Sequence, residues 1–231
     1  MKRTILILLF CFSVAKIQAQ DCKDGYFPNK QGMKFDYTFY DKKDKVSSVS
    51  KYQVNKLIPV ANGIEVFFSN ETFDSKGKTL VKADYSAKCQ NGQFEADIRN
   101  IISSIPTQVS PNMELNVSGD KISYPNVMVA GQKLKDVETE IKSSMKNGIS
   151  IMTMKIKITE RTVEAIENIT VPAGNFICAK ITYMIDIKFG LVKQKQKTTE
   201  YIAKEIGIVK QESFDEKGRK ISSQVLSKLE R

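Results

Sequence analysis

The sequence of 231 residues contains no histidine and no tryptophan. Histidine is the usual general base, a member of the Ser–His and Cys–His nucleophile pairs, and the commonest zinc ligand. The chain also lacks a Cys-x-x-Cys pair and a glycine-rich phosphate loop. These absences argue against histidine-dependent catalysis, structural zinc and thiol redox chemistry. We therefore predict a protein that is not an enzyme and that uses no cofactor and no metal.

Long apolar runs are also absent, except for one short run at the amino terminus. Two basic residues precede that run, and Ala19 provides a small residue at a cleavage point. This order is the signature of a secretory signal peptide, whereas a membrane anchor needs about 20 apolar residues and Lys16 interrupts the run too early. We predict a signal peptide at residues 1–19 and a mature chain that is periplasmic or secreted and is not an integral membrane protein.

Lipid attachment is a separate question, because bacterial lipoproteins place a cysteine at the cleavage point after small residues. Cys11 lies inside the apolar run and follows Phe10, and Cys22 follows Gln20 and Asp21. Neither cysteine fits the lipoprotein pattern. We therefore expect a free protein without a lipid anchor.

The mature chain is moderately basic. Removing residues 1–19 takes away three basic residues and no acid, so the formal charge falls from +10 to +7. Such an excess could attract anionic lipid, polysaccharide or nucleic acid. The lysines are scattered, however, and the nearest to a cluster (Lys193, Lys195 and Lys197) alternates as one solvated strand face does. We expect no nucleic-acid partner.

Three cysteines remain in the mature chain, an odd number in a compartment that favours pairing. Cys22 and Cys89 each lie beside turn-forming residues, whereas Cys178 lies within an apolar strand pattern. We predict a disulfide between Cys22 and Cys89. We expect Cys178 to be buried, where a free thiol behaves as a small apolar side chain.

Apolar residues recur with a period of two along most of the mature chain, which is typical of strands with one buried face. Asn-Gly pairs stand between several of these runs and favour tight hairpins, because both residue types tolerate the positive φ of such turns. A second turn, in which Asp follows an aromatic residue, begins at Tyr40, Phe73 and Phe214. The Asn-Gly pairs begin at Asn62, Asn91 and Asn147.

One stretch departs from this alternation. The isoleucines of residues 98–109 have helical spacing, and no linker divides the chain. Closely spaced hairpins indicate a barrel or a strongly curved sheet. We predict a mostly β fold: a single domain at residues 20–231 built on a single curved antiparallel sheet, a half-barrel or open barrel of about ten strands, with one short covering helix.

Glu160, Glu164 and Glu167 form the densest set of carboxylates, with Arg161 among them. Paired carboxylates can catalyse glycoside hydrolysis when they are suitably spaced. In a strand, this set is more typical of a solvated face that carries a cross-strand ion pair. We expect the solvated face and predict no catalytic residues.

Several short motifs follow one another along nearly the whole mature chain: Cys22, Tyr-Phe-Pro at 26–28, Gly-Gln-Lys-Leu at 131–134, Arg-Thr-Val at 161–163, Val-Pro-Ala-Gly-Asn-Phe at 171–176 and Gly-Ile-Val-Lys at 207–210. In this order the chain resembles the TapB-like family of small exported proteins of Gram-negative bacteria. The resemblance implies a curved antiparallel sheet, a half-barrel similar to the LolA/LolB-type lipoprotein carriers of the periplasm. It supplies no catalytic residues.

A half-barrel has a concave apolar face, and such faces bind lipid tails, acyl chains or extended partner segments. We therefore predict a non-enzymatic binding module for an apolar or lipid-like ligand in the periplasm. The alternative is an envelope or secretion-associated protein that binds another protein through its sheet edge or helix cover. Either face of the sheet is compatible with the alternation, and the same residues are equally compatible with a sealed core. The predicted lining residues are Phe35, Tyr37, Phe39, Val66, Phe68, Ile151, Ile156, Ile185 and Ile187.

Overall fold

The computed structural model describes residues 22–96 and 113–231, which form thirteen strands in one antiparallel sheet. The predicted fold class is confirmed, with thirteen strands in place of about ten. The predicted signal peptide at residues 1–19 and the predicted helix at residues 98–109 lie outside the described residues. The strands are β1 (Lys34–Asp41), β2 (Val46–Val60), β3 (Gly63–Asp74), β4 (Thr79–Gln90), β5 (Gln93–Ala96), β6 (Met113–Gly119), β7 (Ile122–Pro125), β8 (Val137–Met145), β9 (Ser150–Val171), β10 (Gly174–Phe189), β11 (Val192–Ala203), β12 (Gly207–Asp215) and β13 (Lys220–Glu230).

The strand order of the sheet is β6-β8-β9-β10-β11-β12-β13-β1-β2-β3-β4-β5-β7. The two edge strands, β6 and β7, lie at opposite ends of this order, yet only Asp120 and Lys121 separate them in the chain. Because one residue spans at most about 3.6 Å, the two edges must approach each other. The sheet therefore curls around an interior. It remains open, since these two described strands do not pair with each other.

Both predicted turn types close hairpins in the structure. Asn62 and Asn91 adopt φ values of 56° and 52°, in the left-handed region that Asn visits more readily than most residues. Asp41 Oδ1 accepts the backbone N–H groups two and four residues later, at 2.7 and 3.0 Å. Asp74 and Asp215 accept the equivalent bonds in their own turns. Each of these three aspartates thus stabilises the turn that it begins.

Alternation places one face of each strand in a shared apolar core. In β8, Val137, Thr139, Ile141 and Ser143 are buried, and the residues between them are more exposed. β10 follows the same rule over Ile181–Ile185, with every second residue buried. This inner face, enclosed by the curl of the sheet, holds both the core and the site described below.

The cysteine predictions are confirmed. Cys22 and Cys89 form a disulfide that ties the segment before β1 to the end of β4. Cys178 is free and buried. Burial raises the pKa of the Cys178 thiol to about 12, so the thiol stays protonated and unreactive at physiological pH.

The hairpin connections lie at two ends of the sheet, because consecutive antiparallel strands reverse at alternate ends. In the described part of the chain, five connections lie at one end, which we call the distal end. The connections at the opposite end include the Asn-Gly turn at 91–92 and the turn at 172–173 of the Val-Pro-Ala-Gly motif. The distal connections are residues 42–45, 75–78, 146–149, 190–191 and 216–219.

Candidate functional site

A cavity of about 730 Å³ lies on the inner face of the sheet, against β1 to β5 and with contributions from β7, β11, β12 and β13. Its lining extends from Phe27 and Phe94 at one end to Phe39 and Leu80 near the distal end. Small-molecule sites typically have volumes of about 300–1,000 Å³. The curled sheet therefore encloses a space large enough for a ligand.

Aromatic rings on β1 to β4 form a continuous wall of this cavity. Phe35 stacks on Tyr52 with 5.2 Å between ring centroids, and Phe68 stacks on Tyr85 at 5.1 Å. Tyr52 meets Tyr85 edge to face at 6.2 Å, and it meets Tyr37 in the same way at 5.6 Å. Such rings provide a large apolar contact area and a polar atom at the tyrosine tip. We refer to these five residues as the aromatic wall.

Hydroxyl groups are the main polar features of the aromatic wall and its surroundings. Tyr37 Oη donates to the Ile208 carbonyl at 2.6 Å, and the Ser50 and Thr72 hydroxyls are 2.7 Å apart. Burial raises the pKa of Tyr52 to about 12, although hydrogen bonds with neighbouring polar side chains lower it. Tyr52 therefore stays neutral at physiological pH and offers a ligand hydrogen bonds rather than charge.

Charged side chains also line the cavity, but their signs are mixed. The acids are Glu65, Asp84 and Glu95, and the bases are Lys88 and Lys121. Glu65 Oε1 accepts the Ser86 hydroxyl at 2.8 Å. A lining with both signs has no strong preference for a ligand of one charge.

A second set of buried polar side chains joins the two halves of the sheet. Glu200 of β11 and Arg161 of β9 are 0 % and 1 % exposed. Tyr124 of the edge strand β7 donates to Glu200 Oε1 at 2.8 Å, and Tyr183 of β10 donates to Oε2 at 3.0 Å. The Gln211 amide of β12 also donates to Oε2, at 3.2 Å. We call these five residues the buried cluster; its hydrogen bonds bring side chains of β7, β10 and β12 to one carboxyl group.

Arg161 holds the edge strand β7 from the side of β9. Its Nη1 donates to the Lys135 carbonyl at 2.8 Å and its Nη2 to the Ser123 carbonyl at 2.9 Å, while the guanidinium lies 5.2 Å from the Tyr124 ring centroid. The predicted solvated face is therefore wrong for Arg161. The reason is a β-bulge, because Glu160 adopts φ 58° and the β9–β10 register shifts here. The bulge turns the next side chain inward.

The three glutamates beside Arg161 do not converge on one site. Glu160 and Glu164 are exposed, and Glu164 Oε1 accepts the Thr182 hydroxyl at 2.6 Å. Glu167 Oε1 lies 3.8 Å from Lys180 Nζ, as the cross-strand ion pair that the sequence predicts. Among the residues that the structure describes, no group of three potential ligands from Cys, Asp and Glu could hold a metal.

We expect Glu200 to make the stability of the protein depend on pH. Burial raises the folded-state pKa of Glu200 above its ordinary value of 4.5, although the Tyr124, Tyr183 and Gln211 hydrogen bonds and the Arg161 charge lower it. The folded state then keeps a proton that the unfolded state has released. The free energy of unfolding should therefore fall as the pH rises from 4.5 through the folded-state pKa.

Urea unfolding of the wild-type protein and the Glu200→Gln variant over a series of pH values measures this contribution. The unfolding free energy of the wild type minus that of Glu200→Gln should decrease as the pH rises from 4.5. Parallel pH profiles for the two proteins would show that Glu200 titrates alike in the folded and unfolded states, which contradicts the prediction.

Four of the nine predicted lining residues line the cavity, and the other five do not. Val66, Ile156 and Ile185 are buried in the core and do not line the cavity. Ile187 packs half-buried against the core, and Ile151 is exposed near the distal end. The four that line the cavity are Phe35, Tyr37, Phe39 and Phe68.

The sequence prediction omitted two members of the aromatic wall and the whole buried cluster. Tyr85 belongs to a clearly alternating run, and Tyr52 lies in the long strand β2, so both carried a usable signal. Glu200 shares its strand parity with Thr198 and Ile202, both of which are buried. That parity is the local signal that could have marked Glu200 as an inward carboxylate.

The curled open sheet recurs in two solved structures, which define the class of protein. One, from Bacteroides fragilis NCTC 9343, is described as an exported protein with a YmcC-like fold. Its sequence is 25% identical to this chain and its TM-score is 0.75; the match covers 90% of this chain and 100% of the Bacteroides chain. The other, from Parabacteroides distasonis ATCC 8503, is described as a lipoprotein. Its sequence is 27% identical to this chain and its TM-score is 0.77; the match covers 91% of this chain and 100% of the Parabacteroides chain. Both descriptions agree with the predicted periplasmic or secreted location.

The chain belongs to the DUF3108-like family, whose model matches residues 30–226. No curated protein sequence matches the chain. The narrower resemblance to the TapB-like family and to the lipoprotein carriers stays a prediction.

Two observations concern the relation of this chain to a membrane. Cys22 is the first cysteine after the predicted cleavage point, and its sulfur is bonded to Cys89, so it is not available to carry a lipid. Within residues 22–96 and 113–231, no helix is long and apolar enough to cross a bilayer.

Proposed function

We propose that this exported protein is a non-enzymatic binding module that holds an apolar, lipid-like ligand on the inner face of its sheet. The observation that carries the proposal is the cavity of about 730 Å³ with its aromatic wall. A cavity of this kind combines apolar contact area with a few oriented polar groups, which is the usual composition of a small-molecule site. An acyl chain lying along the lining, from Phe94 towards Leu80, suits this composition.

The chemistry of the lining supports binding rather than catalysis. The chain has no histidine, and burial holds the pKa values of Tyr37 and Tyr52 far above physiological pH. General acid–base catalysis works best with a group whose pKa lies near the operating pH. The tyrosine hydroxyls are better suited to orient the polar end of a ligand.

A variant that fills the cavity tests the proposal. Ala83 of β4 is half-buried and lines the cavity, whereas the adjacent Lys82 is exposed and does not. Ala83→Phe should weaken the binding of cis-parinaric acid, a fluorescent fatty acid, about tenfold or more, because the new ring occupies ligand volume. A tenfold change in Kd corresponds to about 1.4 kcal/mol. Fluorescence titration of purified protein measures the Kd.

Lys82→Phe is the matched control, because neighbouring strand residues point to opposite faces. It adds the same ring outside the cavity and should leave the Kd unchanged. Two results would contradict the proposal. One is equal binding by the wild type and Ala83→Phe, and the other is a wild type that binds no fatty acid and carries no lipid adduct in native mass spectrometry.

The alternative is an envelope protein that binds another protein through its sheet edge. One observation favours it: within the described residues, β6 pairs with β8 alone, so its outer edge keeps backbone groups that a partner strand could use. The predicted helix cover lies outside the described residues. Affinity capture of a stoichiometric partner, lost on replacing Val117 of β6 with Pro, would favour this function.

A further inference from the structure

Two neighbouring hairpins at the distal end present apolar side chains to solvent. One connects β8 to β9 through residues 146–149, and the other connects β10 to β11 through residues 190–191. The pairing register aligns Ile141, Met154, Phe189 and Val192 across these four strands. The 190–191 turn follows this common row directly, and the β8–β9 hairpin extends beyond the row to its turn at 146–149. We call these two neighbouring turns the paired tips.

The paired tips hold an unusual share of the exposed apolar surface. Leu191 is fully exposed, and the other five large apolar residues of the tips are 40–62% exposed. They make up six of the twelve large hydrophobic residues that are exposed in the described part of the chain. A concentration of exposed apolar side chains indicates a site of interaction with a protein or a membrane. The other five are Met145, Ile149, Ile151, Phe189 and Val192.

Most of the charged side chains close to these residues are basic. Residues 142–155 and 188–197 together contain seven lysines and no acid. Within the described residues, only Lys142 and Lys155 of this set contact an acid, and both contact Glu140. The paired tips therefore combine apolar ends with a strongly cationic base.

Three of these lysines form a row directly below the apolar side chains. Lys188 pairs with Lys155 on one side and with Lys193 on the other, so three cations lie side by side across β9, β10 and β11. Like charges directly opposite each other destabilise a sheet. An anionic surface placed against this row would relieve the repulsion.

The other distal turns differ in character. The turns that begin at Asp41, Asp74 and Asp215 are each closed by an aspartate that accepts backbone N–H groups, and all three are polar. Two of them are flanked by a single exposed apolar residue each, Val46 and Leu80. The exposed apolar side chains of this end of the sheet are thus concentrated at the paired tips.

We infer that the paired tips dock the protein on a bilayer surface that carries anionic headgroups. Leu191 and Ile149 enter the interface between headgroups and acyl chains, and the lysine row contacts the headgroups. Apolar insertion together with several basic residues is the combination that gives stable peripheral attachment. This docking does not depend on the cavity, although the cavity lining reaches the same end of the sheet at Phe39 and Leu80.

Sedimentation with vesicles tests the inference. Mature wild-type protein should co-sediment with vesicles of phosphatidylcholine and phosphatidylglycerol, and weakly with phosphatidylcholine alone. Replacing Ile149, Leu191 and Val192 with Ser should lower the partition coefficient about tenfold or more, since each apolar side chain contributes to insertion. Replacing Lys146, Lys188 and Lys193 with Gln should lower it by about fivefold per lysine on the anionic vesicles only.

Ile177→Ser is the matched control, because Ile177 is also exposed, at 69%, but lies near the opposite end of β10. It should bind vesicles as the wild type does, and circular dichroism should show that all variants are folded. The inference is overturned if the wild type stays in the supernatant with anionic vesicles, or if the tip variants and Ile177→Ser bind equally. Self-association through the tips, seen by light scattering without vesicle binding, would also overturn it.

Discussion

Replacing Arg161 with Met should lower the free energy of unfolding by about 3–5 kcal/mol, the typical effect of removing one partner from a buried charged network. The substitution leaves the carbonyls of Lys135 and Ser123 without their donors. It also removes the positive charge that lowers the pKa of the buried Glu200 carboxyl. The loss should be large because the Arg161 guanidinium and the Glu200 carboxyl lie away from water, which cannot replace the missing interactions.

Chemical denaturation monitored by circular dichroism measures this loss. Lys180→Met is the matched control, because it removes a more exposed cation that contacts Glu167 across a strand pair. Its effect should stay below about 1 kcal/mol. A double variant, Arg161→Met with Glu200→Met, should recover part of the stability, because no buried charge is then left alone. An Arg161→Met variant as stable as Lys180→Met would refute the structural role of Arg161.

The error at Arg161 shows where local sequence patterns fail. Ile156 and Ile158 face the core, so strict alternation places every even-numbered residue of β9 inward and Arg161 outward. The bulge at Glu160 inserts one residue and reverses this parity, so that Arg161 and Val163 are buried instead. A bulge depends on how two strands pair. The sequence around Glu160 contains no glycine that would indicate a left-handed residue.

The turns and strands, in contrast, depend on neighbours in the chain. The alternation and the self-capping aspartates are local features, and the structure confirms both. The cavity is not local, because its lining comes from strands as distant as β1 and β12. Phe35 and Ile156 show the same alternation, yet Phe35 lines the cavity and Ile156 fills the core. The curl of the sheet, which the short link between β6 and β7 enforces, decides which inward residues line the cavity and which fill the core.

Replacing Cys22 and Cys89 together with Ser should lower the free energy of unfolding by about 4 kcal/mol. The bridge closes a loop with a sequence separation of 67 residues. In the chain-entropy model, a loop of that length restricts the unfolded chain by about this amount. The bridge also holds the segment that carries Phe27, which stacks on Phe94 at 4.7 Å beside the cavity. Its loss should therefore weaken the folded state near the cavity as well.

Cys178→Ala is the control for this prediction, because Cys178 is buried and unpaired. It removes one sulfur atom from the core and should have a smaller effect, since it changes only local packing. Urea unfolding with and without a reductant separates the two contributions: the reductant should destabilise the wild type and Cys178→Ala alike, and should leave Cys22→Ser/Cys89→Ser unchanged. If the reductant destabilised the wild type but left Cys178→Ala unchanged, the stabilising bridge would have to involve Cys178, and the assignment of the disulfide would be wrong.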